Sequence, residues 1–216
     1  MKRIFLLRHG EYAFISRGGH LVNDSAGGLS QKGIQQSEAL ARLFEPIQIN
    51  GLYASPLERT FQTAKIIAKN IRLDVEIVLE FKELDIGNHE GKTICEMTPP
   101  FDAFLQDPFL KFPGGESLYD LEKRCLNTYH RIVEEPKRSI IIVAHAAVNR
   151  VILCDLLGLG LSHFARIEQD AACVNIIDYF ENRPVVKLLN FTSYDALKRE
   201  LIGDTLDLKP HAQISG

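Results

Sequence analysis

Along the chain, short continuous apolar runs alternate with stretches in which apolar residues recur every three or four positions. Strand followed by helix is the pattern this predicts, and its repetition points to an α/β layered fold with a mostly parallel sheet. Lys2 to Leu7 reads as a buried strand. Residues 31–44 carry Ile34, Leu40, Ala41 and Phe44 at helical spacing, with Ser30 placed to cap the first turn. Leu52 to Ala54 is a short strand that runs into Ser55-Pro56-Leu57-Glu58. There a capping serine, a proline at the first helical position and a glutamate at the third predict a helix over 56–69, packing through Leu57, Phe61, Ala64 and Ile67 or Ala68. Val75 to Leu79 is a further strand.

Residues 84–115, with Gly87, Gly91, Pro99, Pro100, Pro108 and Pro113-Gly114-Gly115, read as a long excursion with room for one short helix. From Glu116 to Glu135 the set Leu118, Leu121, Cys125, Tyr129 and Ile132 returns at intervals of three and four, which predicts a long helix. Ser139 to Ala144 is the strongest strand, and it ends on His145. A helix around Val148 to Leu157 is stopped by Gly158. Cys173 to Phe180 and Val185 to Phe191 then pair across Glu181-Asn182-Arg183-Pro184 as an antiparallel hairpin at a sheet edge. The expected organisation is one domain over 1–202 with an inserted lid at about 84–115, followed by a loose tail at 203–216.

Composition narrows the function. With 216 residues, 45% of them hydrophobic, the chain buries one sizeable core. A net charge of −3 gives no global field that would draw in nucleic acid or an anionic membrane, so any anion site must be local. After Met1-Lys2-Arg3 the apolar run is too short for a signal-peptide core or a membrane span, and a cytoplasmic protein is expected. Cys95, Cys125, Cys154 and Cys173 show no C-x-x-C pairing and fit reduced, packed thiols. His20, His89, His130, His163 and His211 lack metal-ligand spacing, so no metal site is expected.

Two strands end in histidine, at His9 and His145, and in open α/β sheets ligands bind off the carboxyl ends of the strands. Both imidazoles are therefore predicted to face one crevice. A third strand feeds the helix start at Ser55, with Arg59 one turn in, and Arg8 directly precedes His9. Two planar guanidinium groups at such a place suit phosphate oxygens.

Leu7-Arg8-His9-Gly10-Glu11, Ser55-Pro56-Leu57-x-Arg59-Thr60-x-Gln62-Thr63-Ala64, Glu83 with Gly87 and Glu90-Gly91, Pro113-Gly114-Gly115-Glu116-Ser117 and Ala144-His145 occur in that order. Together they resemble the motifs of the histidine phosphatase (phosphoglycerate mutase-like) superfamily. The resemblance implies a three-layer α/β/α sandwich and a phosphohistidine mechanism with no metal or other cofactor, acting on a small phosphorylated substrate. It implies His9 as the nucleophile, with Arg8, Arg59 and His145 holding the phosphoryl group and Glu83 donating the proton. Only a neutral imidazole attacks phosphorus, and adjacent cations disfavour its protonation. An alkoxide leaves poorly, so Glu83 must sit partly desolvated or near other negative charge, which the bound phosphate supplies. Ser55 is read as a helix cap that also reaches substrate, Asn23 as a substrate contact, and Glu11 as a supporting residue. Alone, Arg59 would be a solvated helix residue and Glu83 a surface acid; the matched string lifts them.

Mutases of this superfamily usually have a Trp-Asn pair after the first motif and a long insertion before the Gly-Glu-Ser motif. Here Tyr12-Ala13-Phe14 follows, tryptophan is absent, and Glu83 to Glu116 spans 116 − 83 = 33 positions. A short lid exposes the phosphohistidine to water and favours hydrolysis over transfer to a second hydroxyl. Phosphoglycerate mutase-type transfer and a non-catalytic phospho-ligand-binding regulator are the alternatives. Ala146-Ala147 stands where the family commonly has glycine, and His89 where many of its phosphatases have tryptophan. Val148-Asn149-Arg150-Val151, with Arg166-Ile167-x-Gln169-Asp170, is similar to small-molecule phosphatases including those acting on α-ribazole 5′-phosphate. Loop 12–28, with Arg17, His20 and Asn23, and lid 92–112 are expected to set the substrate. Phe101, Phe104, Phe109 and Phe112 would form a leaving-group wall or a satellite core.

Overall fold

Strand β1 (Lys2–Arg8) is apolar on both faces and lies inside a six-stranded sheet, between β4 (Ser139–Ala144) and β5 (Val174–Phe180). In the computed structural model, residues 1–12, 27–92, 96, 97, 99, 101–181, 183–192 and 194 are described. The sheet runs β3-β2-β4-β1-β5-β6, with β2 at Gly51–Ala54, β3 at Glu76–Ile77 and β6 at Arg183–Phe191. β1, β4, β2 and β3 are parallel, while β5 and β6 form the expected antiparallel edge hairpin.

Successive side chains of a strand point to opposite faces, so β1 feeds two cores. Phe5 and Leu7 pack with Leu40, Phe44, Ala64 and Ile67 of helices α1 (Gln31–Phe44) and α2 (Glu58–Ile71). Ile4 and Leu6 pack with Leu121, Tyr129, Val148 and Ile152 of the helices on the other face, α4 (Leu118–Glu134) and α5 (Ala146–Leu156). The short α3 (Phe101–Gln106) joins that second core through Phe104. Helices on both faces of a mostly parallel sheet are the three-layer α/β/α arrangement.

Local signals hold at most boundaries. Ser30 accepts from the Gly33 amide and caps α1, and Ser117 forms a capping box with Asp120 at the start of α4. Gly158, at φ +67°, follows α5. The strand expected at 75–79 is reduced to Glu76–Ile77, because the chain turns into a 3₁₀ segment at Leu79–Phe81 that buries Phe81.

The start of α2 is a larger correction. The helix begins at Glu58, Leu57 occupies the capping position without a side-chain cap, and Ser55 lies outside it. The Ser55 hydroxyl bonds His145 instead, while the Thr60 hydroxyl donates to the carbonyls of Ser55 and Leu57. A second correction follows. Leu57 and Phe61 are only half-buried, and the inward face of α2 carries Arg59, Thr60 and Thr63 beside Ala64, Ile67 and Ala68.

Cys125, Cys154 and Cys173 are buried free thiols; burial pushes Cys125 and Cys173 up to about 12 and Cys154 to about 11. Cys95 and the expected tail at 203–216 lie outside the described residues. Among the described residues, no helix is long and apolar enough to cross a membrane.

Candidate active site

β1 and β4 are parallel neighbours in the register Arg8↔Ala144, so His9 and His145 leave the sheet side by side. Their ring centroids lie 5.1 Å apart, and the His9 amide donates to Ala144 O at 3.1 Å. Both rings are almost wholly buried. Burial holds the His9 pKa well below its ordinary value, and the positive charges of Arg59 and Arg8 add to that. Burial does the same for His145, followed by the influence of His9, Arg59 and Arg8.

His9 Nδ1 stands 2.7 Å from Gly10 O, an atom that only accepts, so Nδ1 carries the ring proton and Nε2 keeps its lone pair. Arg59 Nε donates to that Nε2 at 3.2 Å. Gly10 is fixed from both sides: its amide donates to Thr63 Oγ1 at 3.1 Å, and the start of α1 presses against the loop. A Cβ on Gly33 would lie 1.9 Å from Glu11 O, so only glycine permits this approach. Glu11 accepts from Ser30 and Lys32.

Arg59 is buried with its guanidinium 5.0 Å from the centre of the Tyr12 ring. Arg8 Nη1 donates to Gln169 O at 2.6 Å, and Gln169 is locked in a buried amide network with Asn149 and Asn175. His145 Nε2 lies 2.8 Å from Ser55 Oγ. Two buried donors-in-waiting, Arg8 Nε and His145 Nδ1, have no hydrogen-bond partner among the described residues. In a site this dry, such atoms mark where a ligand's polar group belongs.

Glu83 lines the same pocket as Arg8, His9 and Arg59, a cavity of about 210 Å³. Its Oε1 accepts from the Leu84 amide at 2.9 Å and its Oε2 faces the Ala147 amide at 3.5 Å. The remaining wall is mostly apolar, from Leu84, Ile86, Phe101 and Phe164, with Tyr12 and Arg150 beside them. The four phenylalanines of 101–112 therefore divide. Phe101 lines the pocket, Phe104 and Phe112 stack in the core with centroids 3.9 Å apart, and Phe109 is 65% exposed against Tyr119. His89 packs edge-on to Phe104 and Phe112, as a core ring.

Arg124 of α4 is a residue the sequence reading missed. It pairs with both Glu116 oxygens and donates to the carbonyls of Glu80, Lys82 and Glu83. The Pro113-Gly114-Gly115-Glu116 segment closes the same clasp: Glu116 N donates to Asp85 O, and Asn88 N to Pro113 O. Gly87, at φ +52°, has no space for a Cβ, which would stand 2.4 Å from the Gly114–Gly115 backbone. Gln169 was noticed only as part of a motif, and its contact with Arg8 through a backbone carbonyl leaves no residue-type signal. Asn23 lies outside the described residues. Among the described residues, no cluster of three or more His, Cys, Asp or Glu side chains is placed to hold a metal.

Comparison with known proteins is consistent across sequence and structure. The sequence pattern of the histidine phosphatase superfamily (branch 1) matches residues 4–192. Phosphoserine phosphatase 1 of Hydrogenobacter thermophilus is 29% identical over 202 residues, covering 90% of this chain and 94% of the relative. A mutant phosphoserine phosphatase from Entamoeba histolytica, solved with phosphoserine, superposes with a TM-score of 0.79 at 24% identity, over 90% of this chain and 99% of that one. A putative α-ribazole-5′-P phosphatase from Escherichia coli gives a TM-score of 0.78 at 23% identity, over 90% and 99% of the two chains.

Proposed function

Because this chain belongs to the histidine phosphatase superfamily, we propose that it hydrolyses a small phosphomonoester through a phosphohistidine formed on His9, with no metal in the reaction. The observation that carries this reading is the tautomer of His9: its proton is committed to Gly10 O, and the unprotonated Nε2 accepts from Arg59 Nε, which a phosphoryl group would draw away to its own oxygens.

Nε2 attacks phosphorus as the P–O bond to the leaving group breaks. Arg8 and Arg59 stabilise the charge that gathers on the equatorial oxygens. Glu83 gives its proton to the departing alkoxide, and then, as a carboxylate, takes one from the water that attacks phosphorus and frees His9. Inorganic phosphate and the alcohol are the products, and enzyme protonation returns to its starting state.

Ser55 acts through His145. Its oxygen accepts from the Leu57 amide at 3.3 Å, so its own proton is available to His145 Nε2. His145 Nδ1 then carries the ring proton and donates to a phosphoryl oxygen as a neutral group.

Hydrolysis rather than phosphoryl transfer is supported by the short 83–116 span and by relatives named as phosphatases. The intact set of Arg8, His9, Arg59, Glu83 and His145 supports turnover over a purely binding role. The apolar wall suits a leaving group with an apolar face, and α-ribazole 5′-phosphate is one such ester. The test is phosphate release from a panel of monoesters with chelator present, using wild type and His9→Ala. Wild-type release with an acid-labile phosphoryl label that His9→Ala lacks is expected. An inert wild type, full turnover by His9→Ala, or loss of activity to chelator would overturn the reading.

A further inference from the structure

Resting on that phosphatase reading, we infer that Arg150 forms a second anion subsite beside the phosphoryl pocket and takes a carboxylate of the leaving group. The preferred substrates are then small phosphorylated carboxylic acids.

Arg150 lies three and four positions after Ala147 and Ala146 on α5, so all three share one helix face, and all three line the pocket of His9. Its guanidinium is held in place before any ligand arrives. Nε donates to Ile167 O at 2.6 Å, and Cζ stands 5.5 Å from the centre of the Phe164 ring. Nη1 has no partner among the described residues. One carboxylate touches this group, Glu168, at 3.4 Å from Nη2 and with its side chain 71% exposed. Such a pair is heavily screened by water and leaves most of the positive charge unanswered.

Among the described residues, cationic side chains outnumber anionic ones on the wall of the pocket. Three guanidinium groups, Arg8, Arg59 and Arg150, line it with one carboxyl group, Glu83. A phosphomonoester dianion answers Arg8 and Arg59, which leaves Arg150 with only its exposed partner Glu168 among the described residues. The planar fork of Arg150 matches a carboxylate in a two-point contact.

Matched esters that differ only in the carboxylate test this: phosphoserine against phosphoethanolamine, and 3-phosphoglycerate against glycerol 3-phosphate. Wild type is expected to favour the acid of each pair in kcat/KM by about ten- to a hundredfold, the worth of a charged hydrogen bond. Arg150→Gln should erase that preference through KM, lowering the acid of each pair by the whole of the preference more than its neutral partner, whereas a structural role would lower both members equally. Binding of the same esters to His9→Ala, with and without Arg150→Gln, reads the subsite without turnover and so separates its failure from failure of the phosphatase reading. Should Arg150→Gln not fold, the wild-type pairs decide. Equal use or equal binding within each pair overturns the proposal, and so does better use of α-ribazole 5′-phosphate or a bisphosphate than of any phosphorylated acid.

Discussion

The two sides of the pocket are built in different ways. His9 and His145 stand on the ends of adjacent parallel strands, so backbone register alone sets their separation. Glu83 sits on a non-helical segment between β3 and α3, held by glycines that admit close backbone contact and by one arginine reaching across from α4. A group placed by a sheet is fixed by the whole core. A group placed by a clasp depends on a few polar contacts, and is the easier of the two to disturb.

Breaking the sheet side should cost most. His9→Ala is expected to lower kcat by at least about 10⁴-fold, in line with loss of other covalent nucleophiles, while the fold persists by circular dichroism. A residual rate within tenfold of wild type would remove His9 from the chemistry. Arg124→Met attacks the other side without touching substrate. It should cost about 10- to 100-fold with alkoxide leaving groups and far less with activated phenols, because only the former need the proton. Equal loss on both would mean the clasp supports the fold and not Glu83 in particular.

Ser55→Ala should cost no more than the clasp variant. It removes a neutral hydrogen bond that sets the His145 tautomer, so about a tenfold loss in kcat is expected, with partial recovery in Ser55→Thr. An alanine variant with unchanged kcat would leave His145 oriented by packing alone. The comparison also extends to pH. His9 and His145 have folded pKa values depressed below 6.5, so the unfolded chain binds more protons than the folded one beneath that point. Stability should be fully present above pH 6.5 and fall as pH drops towards the folded values, read as a declining Tm between about pH 7 and 5. His9→Ala should flatten that decline. Smallest is Ser117→Ala, which removes the α4 cap at a cost of about 1 kcal/mol in denaturant unfolding.

The same contrast separates what was legible from what was not. Strand ends, the α1 and α4 caps and the pairing of His9 with His145 follow from apolar runs and their terminators, which are local. The capping pattern at Ser55 misled because it counts one use of a hydroxyl, and a buried imidazole from β4 competed for it. Thr60 and Thr63 were missed on the inward face of α2 for a related reason: they are polar, yet they are buried beside Arg59. Arg124 and Gln169 were hidden because each works through backbone carbonyls of distant segments.

The sequence by itself determined the layer order, the strand ends that carry the histidines and the family, since periodicity and ordered motifs are one-dimensional signals. Tertiary structure decided which nitrogen of His9 is unprotonated, what Ser55 bonds, how Glu83 is held and that Arg150 reaches the same pocket. Each of those depends on a hydrogen-bond partner or a cavity wall supplied by another element, and such proximity exists only once the chain has folded.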